Sequence, residues 1–236
     1  MAEVFATGIK GFDKLFKLKG MKAGTSLLVT GTPGAGKTVF ALEYLYRGAE
    51  KGEIGMYIAY EESANNIRAL AESLGFDRFA EFEKKKTIVL IEQPAAQSNI
   101  TTVRIPFTLM QKNGVKRVVL DSLTLFEYVF STDVLKFRRG ILKFLADMRD
   151  SGVNILVTSE RKMGTVNDFQ FEPQDFLFDG VLALYNNRKG STHERCLNII
   201  KMRRQGHVSD IIPFTITGKG LEVFPEQIPF SLVDKD

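Results

Sequence analysis

SLLVTGTPGAGKTVFALEYLYRGAE, Ser26 to Glu50, is the stretch on which the fold turns. Its middle, GTPGAGKT from Gly31 to Thr38, matches G-x-x-x-x-G-K-[S/T] at every fixed position. Average composition yields those four positions by chance in roughly one chain in a hundred of this length. The flanks sharpen the match, because SLLVT reads as a strand and VFALEYLYRGAE as a helix, the context a phosphate-binding loop requires. In such a loop the backbone of Gly31, Thr32, Pro33, Gly34, Ala35 and Gly36 curls so that successive N–H groups point at phosphate oxygens. The following helix N-terminus adds its partial positive charge. Lys37 is expected to bridge the β- and γ-phosphates and Thr38 to place its hydroxyl on Mg²⁺, so ATP and Mg²⁺ are the expected ligands. The bland alternative is a glycine-rich turn that binds nothing.

Working outward, VKRVVLDS runs from an apolar strand straight into Asp121. A carboxylate there emerges at the strand's carboxyl end, where ligands collect in open α/β sheets, and suits a Mg²⁺ partner of Thr38. Taken alone, an apolar run ending in Asp is also an ordinary strand end. GMYIAYEESANN, Gly55 to Asn66, follows another apolar run with two adjacent carboxylates, Glu61 and Glu62. On the same rim one of them can orient and deprotonate a water attacking the γ-phosphate while the other supports it; Glu61 is favoured as the base. The alternative is that both merely open the next helix, with Ser63 as its N-cap. Ser159, in ILVTSE, is either a γ-phosphate sensor or a simple cap.

The 236 residues are 44% hydrophobic and 25% charged, as in a globular domain with a full core. The chain reads as one ATPase domain over 1–236, with a lead-in segment at 1–25 and an antiparallel extension and tail at 185–236. Short apolar runs at 26–30, 54–60, 87–91, 115–120 and 154–158 alternate with helical patterns at 37–51, 65–74 and 133–149. That predicts an α/β fold: a mainly parallel twisted sheet flanked by helices. In the last helix Leu135, Leu142, Leu145 and Met148 are expected on one face. Pro106 is expected to delay or kink a helix near 101–112. Runs at 181–185, 195–200, 211–217 and 221–224, separated by NNRKGSTHE and TGKG, read as the antiparallel extension.

The order of phosphate loop, Glu-Glu and Asp121 followed by Ser122 and Thr124 resembles the RecA superfamily of P-loop NTPases, and within it the KaiC-like ATPases of single-domain archaeal or bacterial type. TGIKGFDKLFKLKGMKAGTSLLVTGTPGAGKT resembles the family's lead-in, FLFDGVLALY one of its later strands and IIKMRRQGHVSDIIPFTIT its C-terminal signature. The resemblance covers Thr7 to Phe224. It implies a ring, commonly a homohexamer, with ATP between neighbouring subunits. Lys201 and Arg203 match residues that reach the γ-phosphate on the adjacent subunit, His207 a position near the neighbour's nucleotide and Ser73 one near the base. The bland reading of KMRR is a solvated basic turn. KLKGMKAG has a lysine where the family often has glycine, and Gly218 replaces an acidic residue that clock members carry after TIT. Those members have two such domains in tandem and an autophosphorylated Ser-Thr pair; MGTVNDFQFEPQDF shows no such pair, so neither a clock nor a kinase activity is expected.

Other features point elsewhere only weakly. The single cysteine, Cys196, excludes an internal disulfide and fits a reducing cytoplasm. No apolar run is long enough to cross a membrane. A net charge of +4 is too small to argue for nucleic acid, and Lys84–Lys86 and Arg138–Arg139 read as solvated faces. His193, in an expected hairpin turn, and His207 lack partners at zinc spacing. The 19 phenylalanines read as core and subunit interface rather than as a base-stacking platform. The absence of an N-K-x-D signature favours ATP over GTP. Three functions therefore compete: a ring-forming ATPase, a slow ATP-dependent assembly scaffold for a protein partner, and a recombinase-type DNA-binding filament, the last disfavoured because no DNA-binding or polymerisation segment is visible.

Overall fold

The structure is a computed structural model describing residues 3–93, 114–124, 134–163, 166 and 169–233. The expected helix around Pro106 lies outside these residues. A lead-in hairpin of β1 (Val4–Phe5) and β2 (Met21–Lys22) precedes β3 (Ser26–Gly31), α1 (Lys37–Glu50), β4 (Gly55–Ala59), α2 (Ala64–Ser73) and α3 (Phe79–Lys84). Then come β5 (Ile88–Glu92), β6 (Arg117–Asp121), α4 (Val134–Asp150), β7 (Asn154–Glu160), β8 (Gly180–Lys189), β9 (Thr192–Met202), β10 (Ile212–Thr217) and β11 (Gly220–Val223).

The strands from β3 onward form one nine-stranded sheet in the order β11-β10-β9-β8-β3-β7-β6-β4-β5. β8 to β5 are parallel, and β9, β10 and β11 extend the sheet antiparallel, so the expected α/β architecture holds. Because side chains alternate along a strand, each central strand feeds two cores. Leu27, Val29, Tyr57, Ala59, Val119 and Leu156 face α1, α2 and α3. Leu28, Met56, Ile58, Val118, Leu120, Ile155 and Val157 face α4.

Several expectations need correction. The run at 181–185 is not simply part of the antiparallel extension: β8 pairs parallel with β3, Leu28 opposite Val181, and antiparallel with β9 on its other edge. NNRKGSTHE is mostly strand, with only Gly190 and Ser191 in the turn, so His193 lies in β9 opposite Arg188. On α4 the buried stripe is Ile141, Phe144, Leu145 and Met148, whereas Leu135 and Leu142 are 70% and 48% exposed. At about 100° per residue, Leu135 and Leu142 fall roughly a quarter-turn or more from that stripe. Of the three lysines in KLKGMKAG, Lys19 adopts a left-handed φ of 55°, a conformation that glycine reaches without the Cβ penalty.

Candidate nucleotide site

β3 ends at Gly31, and the next five residues turn back into α1. The loop is pressed so close to β8 that a Cβ on Gly31 would stand 2.4 Å from the Leu184 carbonyl oxygen. Gly36, at φ 105°, makes the left-handed entry to α1 and offers no capping side chain, so the helix's first N–H groups face the cleft. Lys37 folds back over the loop and donates to the carbonyls of Gly31 and Thr32, both at 3.1 Å. Burial lowers its pKa, opposed by the carboxylates of Glu160, Asp121 and Glu61.

The parallel register brings the ends of β4, β6 and β7 to this loop. Thr38 Oγ1 donates to Asp121 Oδ2 at 3.0 Å, joining two residues 83 positions apart. Tyr57 donates to the same oxygen at 2.5 Å, and Thr158 donates to Oδ1. Tyr57 is driven well above its ordinary pKa by burial and then by the Asp121 charge, so it remains a donor. Glu61 accepts from Ser122, which follows Asp121 through a cis peptide bond. Glu62 accepts from Asn66 at 2.8 Å, and Ser63 caps α2 through the Asn66 N–H. The Glu-Glu pair thus precedes a capped helix and also lines the cleft.

That cleft has a volume of about 390 Å³ and is walled by the loop, Glu61, Glu62, Asp121, Glu160, Arg195 and Ile216. Thr38 and Asp121 present hard oxygens side by side, which suits Mg²⁺, an ion commonly bound by one or two protein oxygens together with phosphate and water. Among the described residues no group of three His, Cys, Asp or Glu side chains could hold a metal by itself.

The remaining expected residues stand outside this cleft. Ser159 is buried near the end of β7 and donates to the Glu160 carbonyl at 3.4 Å. Ser73 closes α2, donates to Leu70 O at 2.7 Å and lies beside the turn at Gly218. Lys201 is on β9 opposite Val181, which is level with Leu28, three residues before the loop begins. Lys201 donates to Asp175 O at 2.6 Å, and Arg203 to Phe176 O at 3.1 Å. His207 follows the turn beyond, in an isolated antiparallel bridge to Phe16 of the lead-in.

Sequence reasoning missed four residues here. Glu160, 4.0 Å from Lys37, follows an apolar strand as Asp121 does, so the same signal was available. Tyr57 and Thr158 look like ordinary strand residues, and nothing local marks Arg195.

This loop, with its aspartate one strand away across β7, defines a RecA-type P-loop NTPase fold. The family described as "ATPase: KaiC" matches residues 5–228, and the chain belongs to that family. It is 32% identical over 232 residues to the circadian clock oscillator protein KaiC of Synechococcus elongatus, covering 93% of this chain and 44% of that protein. The KaiC of Parathermosynechococcus lividus is 30% identical over 230 residues, covering 93% and 42%. The chain thus spans less than half the length of these relatives. The crystal structure of a KaiC-like protein from the hyperthermophilic archaeon Pyrococcus horikoshii OT3 aligns with a TM-score of 0.79 and 29% identity, over 95% of this chain and all of that one.

Proposed function

We propose that this chain, as a single domain, binds ATP with Mg²⁺ and hydrolyses it to ADP and phosphate at a site completed by a neighbouring copy in a ring. The observation that carries the reading is the Thr38–Asp121 hydrogen bond beside Lys37, with Glu61 and Glu62 on the same cleft. Thr38 and Asp121 would hold Mg²⁺, which would supply positive charge against the charge developing on the phosphates. Lys37 and the loop N–H groups hold the phosphates. Glu61, turned toward Ser122 beside Asp121, accepts the proton of the attacking water, and Glu62 supports it. Lys201 and Arg203 do not line their own cleft, which is what residues lent to a neighbour require. By the family resemblance His207 approaches the neighbour's nucleotide with them, and Ser73 the base. Cations supplied in this way stabilise charge spreading onto the γ-phosphoryl oxygens. No described helix is long and apolar enough to cross a membrane, and a cytoplasmic location accords with that.

A slow ATP-dependent assembly scaffold is the second reading. It draws support from the bonds that already occupy both candidate bases, Glu61 from Ser122 and Glu62 from Asn66. Turnover per subunit, measured against protein concentration at fixed Mg²⁺ with Lys37→Ala as blank, separates the two. A rise to a plateau is expected for a shared catalytic site. Turnover at the level of the blank throughout, with assembly still driven by ATP, would replace the enzyme by the scaffold.

A further inference from the structure

Behind the cleft, one arginine joins the phosphate loop to the segment that holds Lys201 and Arg203. Arg161 follows β7 directly, and its backbone N–H donates to Gly31 O at 3.1 Å. The same carbonyl accepts from the Lys37 ammonium. Its guanidinium turns the other way, into the interior, and meets Asp175 at 2.5 Å; the two side chains are 2% and 0% exposed. Gln170 O and the ring of Phe169 hold the guanidinium further, at 2.5 Å and 4.6 Å. Asp175 also accepts from the Glu172 N–H at 2.8 Å, closing a one-turn 3₁₀ segment at Pro173–Phe176. Two carbonyls of that segment, Asp175 O and Phe176 O, accept from Lys201 and Arg203.

A buried ion pair is a poor source of stability, because desolvation offsets its attraction. It ties two segments together, since Arg161 also reaches the Glu172 carboxylate at the start of the same segment, 3.5 Å away, so that two of the segment's charges meet one guanidinium. Here it locks the 3₁₀ segment to the strand end beside the phosphate loop. The geometry points to Arg161 and Asp175 as positioning residues that set Lys201 and Arg203 from a subunit's own phosphate loop. The neighbour's hydrolysis then depends on a pair that touches neither nucleotide. This rests on the shared-site reading above.

Mixed assemblies test it. A Lys37→Ala subunit cannot use its own site but lends intact cations. An Asp175→Asn subunit keeps its own site and lends misplaced ones. Alone, Asp175→Asn should lose turnover by about 10²-fold, the scale of a displacement near 1 Å, with KM little changed. Added Lys37→Ala subunits should restore it, as they should for Lys201→Ala. Arg161→Lys, which keeps the charge but not the fork, should behave likewise and serves if Asp175→Asn does not fold. Restoration of Lys201→Ala but of neither positioning variant would overturn this inference alone, as would wild-type turnover in Asp175→Asn. Failure to restore Lys201→Ala would overturn the shared site itself, and this inference with it.

Discussion

Asp121 takes hydrogen bonds from three hydroxyls, Thr38 and Tyr57 on one oxygen and Thr158 on the other. Such donors fix the rotamer of a carboxylate, and where it holds a metal, as proposed for Asp121, they are felt in metal affinity. Tyr57→Phe removes one of them with almost no change in volume. It should raise the Mg²⁺ concentration for half-maximal turnover by about 10-fold while leaving the fold intact. A Mg²⁺ titration of turnover checks this, and an unchanged midpoint would reduce Tyr57 to packing. Asp121 itself was legible in the sequence because a strand and its terminal charge are contiguous. Its hydroxyl partners were not, since Tyr57 and Thr158 lie 64 and 37 residues away and meet it only through the sheet register.

Among the elements, α1 is held from behind by a second buried arginine. Arg117 opens β6, is fully buried and donates to the carbonyls of Thr7 and Tyr44, each at 2.6 Å, and of Ala6 at 2.9 Å. It also pairs with Glu53 at 2.6 Å and lies over the rings of Phe5 and Tyr44. The lead-in is thereby tied to the helix that carries Lys37. Arg117→Ala strands three carbonyls and a carboxylate, and should cost about 3–5 kcal/mol in urea unfolding. Gly48 on α1 leaves the room, as a Cβ there would stand 2.2 Å from the Arg117 Nε. Gly48→Ala should therefore destabilise as well, although alanine favours helix. Destabilisation by neither would separate the lead-in from α1. Helix existence was legible from periodicity, but the buried face of α4 was not. Three-residue steps drift around the helix, and only the sheet selected Ile141 and Phe144 over Leu135 and Leu142.

For the whole molecule, the proposed shared site carries a pH signature. Lys201 is pushed below its ordinary pKa by burial first and by Arg203 second. It therefore sheds its proton at a lower pH than a free lysine, near 10.4, would, and turnover that needs its charge falls as pH rises through the lowered value. Lys201→Arg keeps a charge across that range and should shift the alkaline limb upward. An unmoved limb would assign it to Lys37, whose pKa burial also lowers. By itself the sequence determined the phosphate loop, Asp121, the glutamate pair and the alternating α/β order, because each is written in contiguous residues whose chemistry is local. Only the tertiary structure decided that β8 joins the parallel and antiparallel parts of the sheet, that Glu160 and Arg195 wall the cleft, and that Lys201 and Arg203 turn away from it. Strand order and register bring together residues far apart in the chain, and nothing local records that choice.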